Sequence, residues 1–194
     1  MKTDEIKKLT HFFFELGTLR KVARAHRQTL LTNDLTDNIS SHSYRTALIG
    51  YFLAKEENVN PDKIIKMCLI HDLEESRSGD QNWVNKKYVK VFEEEIRNEQ
   101  LSALPDSQEL LRLNQEYSER KTNESKIAKD ADLLDQIFLL CEYRWQGNKE
   151  AEIWLEGKEQ EKLTFTKTAK KIAKEALKQR PSKWWSNLWT NKRR

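Results

Sequence analysis

The chain predicts an all-helical bundle, on three observations. Its 194 residues include only five glycines and three prolines, and helix formers such as Lys, Glu, Leu and Ala dominate. Apolar residues recur at three- and four-residue steps, with little of the alternation that marks a strand. Helix start and stop signals punctuate the chain, among them Asn60-Pro61, Thr122, Gly147 and Pro181.

Thr3 would cap a first helix that begins at Asp4-Glu5. Ile6, Leu9, Phe13, Leu16, Leu19 and Val22-Ala23 lie on one face of it. Residues 26–38 have no period and contain Asn, Asp and Thr. They read as a loop, long enough to suggest a functional role. Ser40 or Ser41 opens a second helix to Glu57. Asn60-Pro61 is a cap with proline at the first helical position, so a third helix runs into His71-Asp72. Gly79 ends the turn that follows. A fourth helix is expected from Asn85 or Tyr88 to Ala103, and a fifth from Pro105 to Arg120. A sixth, capped by Thr122 or Asn123, should reach Trp145 and stop at Gly147. Glu150 to Glu156 reads as a short helix ended by Gly157. Thr166 to Arg180 reads as a basic helix halted by Pro181. Ser182 caps a last turn carrying Trp184, Trp185 and Trp189.

This length makes one domain the default and allows a sizeable core. Cys68 and Cys141 both sit in apolar helical surroundings. They read as buried free thiols in a reducing compartment. No stretch approaches a membrane span, and Met1-Lys2-Thr3-Asp4-Glu5 is too polar for a signal peptide, so a cytoplasmic location is expected. The net charge of +4 is a property of the tail. Residues 158–194 carry 12 Lys/Arg and 3 Asp/Glu, against 23 and 28 in the remainder.

The stretch from Met67 to Asp80 organises the chain. An apolar run ends in His71-Asp72, followed by Leu73-Glu74-Glu75 and then Ser78-Gly79-Asp80. An imidazole beside a carboxylate is a good ligand pair for a divalent cation. His42 lies in the first turn of the second helix. Asp132 lies in the long helix, at the edge of a stripe formed by Ile127, Ala131, Leu134, Phe138 and Cys141. A carboxylate there must be paired, hydrogen-bonded or metal-bound. Taken singly, each of these residues is more often structural. Together they supply two imidazoles and two carboxylates, enough for one cation with positions left open.

The order His, His-Asp, Asp resembles the HD-domain metal-dependent phosphohydrolases. The local context is similar to their 5′-deoxynucleotidase-like branch. The motifs that carry the likeness are Asp37-Asn38-Ile39-Ser40-Ser41-His42-Ser43, His71-Asp72-Leu73-Glu74-Glu75 with Ser78-Gly79-Asp80, and Ala131-Asp132. The likeness covers about residues 5–150. It implies an HD-domain helical bundle over residues 1–157. Residues 158–194 would be a basic, Trp-rich helical extension packed on the same domain.

The resemblance also implies one divalent metal ion (Mn, Co, Mg, Zn, Fe or Ni) held by His42, His71, Asp72 and Asp132. Glu75 and Asp80 would be catalytic residues close to the phosphate. Glu75 falls four residues after His71, on the same side if the helix continues, whereas Glu74 should face solvent. An arginine near the end of the first helix would hold the substrate phosphate. Arg24 fits when counted forward, and Arg27 is the alternative when counted back from His42. The chain departs from the family just after this arginine. An aromatic residue is usual there, and Ala25-His26-Arg27-Gln28 stands in its place, which puts base or sugar recognition in question. His11 and His26 read as surface or packing histidines.

The activity implied is conversion of a (deoxy)nucleoside 5′-monophosphate to nucleoside and phosphate. Two alternatives remain. One is another HD hydrolase acting on a pyrophosphorylated nucleotide, against which Ser76 after Glu75 counts. The other is a non-catalytic nucleotide- or nucleic-acid-binding protein with this fold. A homodimer is expected, as the commonest assembly. Trp184, Trp185, Leu188 and Trp189 fall on one helical face and should dock on the chain's own helices or on a second subunit. Lys192, Arg193 and Arg194 would stay solvated. A membrane surface or nucleic acid would be met only through this tail.

Overall fold

A computed structural model describes residues 1–105 and 107–188. Three central helices position the site: α3 (Ile39–Glu56), α4 (Pro61–Ile70) and α9 (Asn123–Trp145), each packed on the other two. The chain reaches them through α1 (Thr3–Leu16), a 3-10 turn (Gly17–Lys21) and the short α2 (His26–Leu30). After α4 come α5 (Glu75–Ser78), α6 (Trp83–Tyr88), α7 (Glu93–Leu101) and α8 (Ser107–Glu119). Beyond α9 lie α10 (Lys149–Gly157), α11 (Glu159–Leu163), α12 (Lys167–Ala176) and a 3-10 turn at Pro181–Trp185. Among the described residues there is no β-strand; a single antiparallel bridge joins Ala23 to Asn38.

Side-chain caps open the three central helices. Asn38 accepts from Ser41 N at the start of α3, Asn60 from Asp62 N and Lys63 N at α4, and Thr122 from Ser125 N at α9. Thr3, expected as a cap, is already helical, and Glu5 accepts instead from Lys2 N at 2.8 Å. The first helix stops at Leu16, earlier than its apolar spacing suggested, because the chain tightens into a 3-10 turn at Gly17. The expected fourth helix is two helices. Val89 is extended (φ −119°, ψ 130°), as its β-branched side chain favours, and the chain turns before α7.

Leu53, Ile64, Met67, Ile127, Leu134 and Leu140 are fully enclosed at the centre. A second apolar cluster, Leu19, Ile39, Leu73 and Leu101, ties the 3-10 turn and α7 beneath the segment after α4. Gly50 allows α3 to lie close to α4: a Cβ there would meet Cys68 Sγ and Ile64 Cγ2 at 2.9 Å. Cys68 and Cys141 are free and buried. Helix α12 joins the central core through Ala169, Ala173 and Ala176. Its start is capped by Thr166, whose Oγ1 accepts from Ala169 N, and the buried Asp130 carboxylate holds that cap, accepting from Phe165 N, Thr166 N and Thr166 Oγ1 at 2.7, 2.9 and 2.7 Å.

Of the two coverings expected for the tail tryptophans, the chain's own helices or a second subunit, the first is not the one that Trp184 has. Trp184 is 77% exposed and Trp185 43%, so the chain's own helices do not cover them. After Pro181 the segment forms only a five-residue 3-10 turn, too short to lay an amphipathic face on the bundle. Trp189, Lys192, Arg193 and Arg194 lie outside the described residues. No described helix is long and apolar enough to cross a membrane.

Candidate active site

The first turn of α3 carries His42, the end of α4 carries His71 and Asp72, and the middle of α9 carries Asp132. The packing of these helices brings the four together. His42 Nε2 lies 3.2 Å from His71 Nε2, 3.5 Å from Asp72 Oδ2 and 3.4 Å from Asp132 Oδ1. His71 Nε2 lies 3.2 Å from Asp72 Oδ2 and 4.0 Å from Asp132 Oδ1. Ligands placed about 2.1 Å from one cation are separated by about 3–3.5 Å from their neighbours, a spacing that His42, His71 and Asp72 offer together, with Asp132 Oδ1 at the edge of the same group.

Three of the four ligand candidates, His71, His42 and Asp132, are held from behind. His71 Nδ1 donates to Cys68 O at 2.8 Å, which leaves Nε2 as a lone pair. His42 Nδ1 donates to Asp135 Oδ2 at 2.6 Å, and Arg45 braces the other oxygen of Asp135. Asp132 Oδ2 accepts from Lys129 Nζ at 2.6 Å and Tyr117 OH at 3.2 Å, leaving Oδ1 turned to the histidines. Such backing fixes tautomer and orientation.

The carboxylates around His42 draw positive charge to the site, which is a proton on His42 when no cation is bound and would be displaced by one. Burial and Arg24 oppose protonation of His42, yet hydrogen bonds with Asp132 and Asp135 lift its pKa to about 9. Burial works against the charge of Asp132 too, but Lys129 and the two histidines hold its pKa well below the usual range. For Asp72 burial is likewise outweighed, by His71 and His42. His71 itself is pushed down by burial.

His71, Asp72 and Asp132 line a cavity of 580 Å³ that also takes in Arg24, His26, Glu75, Asp80 and Gln136. Arg24 is buried. Burial opposes its charge, but Asp72, Asp80, Asp132 and Asp135 together raise its pKa. Its backbone N–H donates to Asp37 O at 3.0 Å, beside the Ala23–Asn38 bridge, which fixes the loop against the start of α3. Asp80 Oδ2 accepts from Ala25 N at 2.7 Å and lies 3.4 Å from Arg24 Nε. Asn82 closes the same bracket with bonds to Ala25 O and Gln28 Oε1. Arg27 is not among the residues lining the cavity. Glu75 has a buried oxygen without a partner. Its pKa is pushed up to about 11 by burial, Asp72 and Asp80.

Two expectations are corrected here. Glu74 does not face solvent; it is 5% exposed, lines the cavity and accepts from Arg97 Nη1 at 2.8 Å. After Ile70 the chain winds with i to i+3 bonds, Leu73 N to Ile70 O and Arg77 N to Glu74 O among them. Residues three apart eclipse in that geometry, so Glu74 turns to the side of His71. His26 packs edge-on against Trp154, as a packing histidine would, but it also lines the cavity. His11 is exposed, as expected. Asp135, Gln136, Lys129 and Tyr117 escaped the sequence reading. The one signal for the first two was their spacing of three and four residues from Asp132.

A sequence profile described as "HD domain" matches residues 16–175. This chain belongs to the HD domain family. A 5′-deoxynucleotidase of Dictyostelium discoideum is 34% identical over 128 residues, 60% of this chain and 67% of that protein. A 5′-deoxynucleotidase of Photorhabdus laumondii is 29% identical over 157 residues, 73% of this chain and 78% of that protein. A solved structure of a conserved hypothetical protein from Pyrococcus furiosus superposes with a TM-score of 0.71 at 27% identity, covering 88% of this chain and 99% of that one. A Magnetospirillum magnetotacticum protein described as a predicted metal-dependent phosphohydrolase shares the fold, with a TM-score of 0.61 at 23% identity over 90% of this chain and 93% of that one.

Proposed function

We propose that this HD-domain protein is a metal-dependent phosphomonoesterase that converts (deoxy)nucleoside 5′-monophosphates to nucleoside and phosphate. One observation carries the reading. A single cavity joins the His71, Asp72 and Asp132 donors, with His42 behind them, to a buried arginine whose Nη1 has no partner and whose Nε has only the Asp80 carboxylate, at 3.4 Å. The relatives named 5′-deoxynucleotidases supply the substrate class.

His42, His71, Asp72 and Asp132 are the ligands of the cation in this reading. That cation would polarise the phosphoryl oxygens and make the attacking water more acidic. Arg24, rather than Arg27, binds the phosphate through a guanidinium already desolvated and aimed into the cavity. Glu75 moves the proton, taking it from the attacking water or giving it to the leaving 5′-oxygen. Asp80 fixes the turn that carries Arg24 through its bond to Ala25 N.

Residues 158–188 belong with the same domain, through α12 and the Asp130 carboxylate that holds its cap. A reducing compartment, the cytoplasm, suits the two free buried cysteines. A homodimer has a face available, since Tyr44, Leu48 and Phe52 recur at four-residue steps along α3 and are all exposed.

The test is phosphate release from a panel of ribo- and deoxyribonucleoside 5′-monophosphates, with Mn²⁺, Co²⁺ or Mg²⁺ added singly. Release of phosphate is expected with at least one metal, and Asp72→Ala should lose bound metal and activity together. Hydrolysis confined to pyrophosphorylated nucleotides, or nucleotide binding without turnover under every metal, overturns the assignment.

A further inference from the structure

Arg24, His26 and Gln136 stand together on the wall of the cavity, and each has a buried nitrogen without a hydrogen bond: Arg24 Nη1, His26 Nδ1 and Gln136 Nε2. Buried polar groups are rarely left without partners, and each one left so is costly. The orientation of the two neutral side chains is not free. Arg24 Nη2 lies 3.5 Å from Gln136 Oε1 and 3.4 Å from His26 Nε2. A guanidinium has only hydrogens to offer. Gln136 therefore turns its carbonyl to Arg24 and its amide NH₂ away. His26 offers the Nε2 lone pair, and its proton sits on Nδ1. Burial, and then the charge of Arg24, keep this imidazole neutral, with its pKa lowered to about 4.

We propose that Gln136 Nε2 and His26 Nδ1 join Arg24 as direct donors to the substrate's phosphoryl oxygens. The group is then bound by one charged and two neutral side chains. The proposal rests on the reading that Arg24 holds the phosphate, and it names the rest of that subsite. A phosphate monoester presents three terminal oxygens, all acceptors, which suits the N–H groups of these three side chains. Both new residues are well placed to hold position. Gln136 lies four residues after Asp132 on α9, one turn along the same face. His26 is braced edge-on by Trp154, with ring centroids 5.6 Å apart. Neither can be ionised alongside Arg24 as the structure stands, so the subsite gains acceptor-seeking groups without gaining charge.

The test measures the dissociation constant of inorganic phosphate on the metal-loaded protein by calorimetry, with KM and kcat for a nucleoside monophosphate and the bound metal content alongside. Gln136→Leu and His26→Phe should each weaken phosphate binding and raise KM by about ten-fold, the usual worth of a hydrogen bond to a charged group. Metal content should not change. His26→Asn, whose amide can place an N–H near the position of Nδ1, should recover most of the loss. Gln136→Glu keeps the acceptor that Arg24 uses, removes the donor and adds a charge of the phosphate's own sign, so its loss should be at least that of Gln136→Leu. It too should bind phosphate poorly. Wild-type phosphate affinity in Gln136→Glu, or in both Gln136→Leu and His26→Phe, overturns the proposal. If Arg24→Ala weakens binding while those variants do not, only the two added donors fail. If Arg24→Ala also binds phosphate normally, the assignment of Arg24 fails, and this proposal with it.

Discussion

At the residue scale, Asp135 governs how well His42 can serve as a ligand. Its carboxylate takes the Nδ1 proton of His42 at 2.6 Å, while Arg45 braces it with a bond from Nη2 to Asp135 O at 3.2 Å. The imidazole is thereby fixed with Nε2 facing Asp72 and Asp132. Asp135→Asn keeps an acceptor in place but loses the charge that polarises the ring. Metal affinity should fall by about 10- to 100-fold, the usual cost of disturbing such a partner, and excess metal should restore activity. A metal titration that matches the wild type removes Asp135 from the site. The four ligand candidates themselves were legible, because His42, His71-Asp72 and Asp132 form an ordered set of motifs. Asp135 was not, because its role depends on which turn of α9 faces α3, and that is decided by packing. Glu74 was misread for a local reason. Counting on an α-helix turns it outward, and the tighter winding after Ile70 turns it in.

At the element scale, the site depends on how closely α3 and α4 approach, since one carries His42 and the other His71 and Asp72. Gly50 sets that approach. A methyl group there would come within 2.9 Å of Cys68 Sγ and Ile64 Cγ2, both enclosed. Replacing glycine by alanine in a helix ordinarily stabilises it by about 1 kcal/mol, whereas overpacking a core costs about 1–3 kcal/mol. Gly50→Ala should therefore destabilise the fold by a net amount on the order of 1 kcal/mol, read as a lower denaturation midpoint. It should also weaken metal binding, because the helices must part. An unchanged midpoint with unchanged metal affinity would show that the two helices have slack. The helices themselves were legible where caps and apolar period agreed, as at Asn60-Pro61 and Thr122. They were not where competing preferences decide the outcome. Val89 breaks what the spacing suggested was one helix, and Gly17 shortens α1.

At the scale of the whole molecule, the helical bundle and its family were legible, because composition and motif order point the same way. Which surface stays wet was not, because an amphipathic pattern does not say what covers it. Two of the apolar sets left exposed among the described residues bear on assembly. One is the α3 row of Tyr44, Leu48 and Phe52; the other is Trp184, Trp185 and Leu188. Burying a large apolar side chain is worth about 1.5–3 kcal/mol, so both sets favour a second subunit over water. Phe52→Glu places a charge at the C-terminal end of the α3 row and should shift the proposed homodimer to monomer in light scattering. Phosphate release should persist, because Phe52 does not line the cavity. Removing residues 182–194 takes away the second set together with part of the basic tail. The truncated protein should also associate more weakly, while its melting at high dilution stays close to that of the full chain, since Trp184 is 77% exposed and adds little to the fold of one subunit. The contrary result is equally readable. If truncation leaves mass and melting unchanged and abolishes only a salt-sensitive affinity for anionic vesicles or RNA, the tail is an arm for a polyanion. Its attraction would then fall steeply with ionic strength, as exposed charges require.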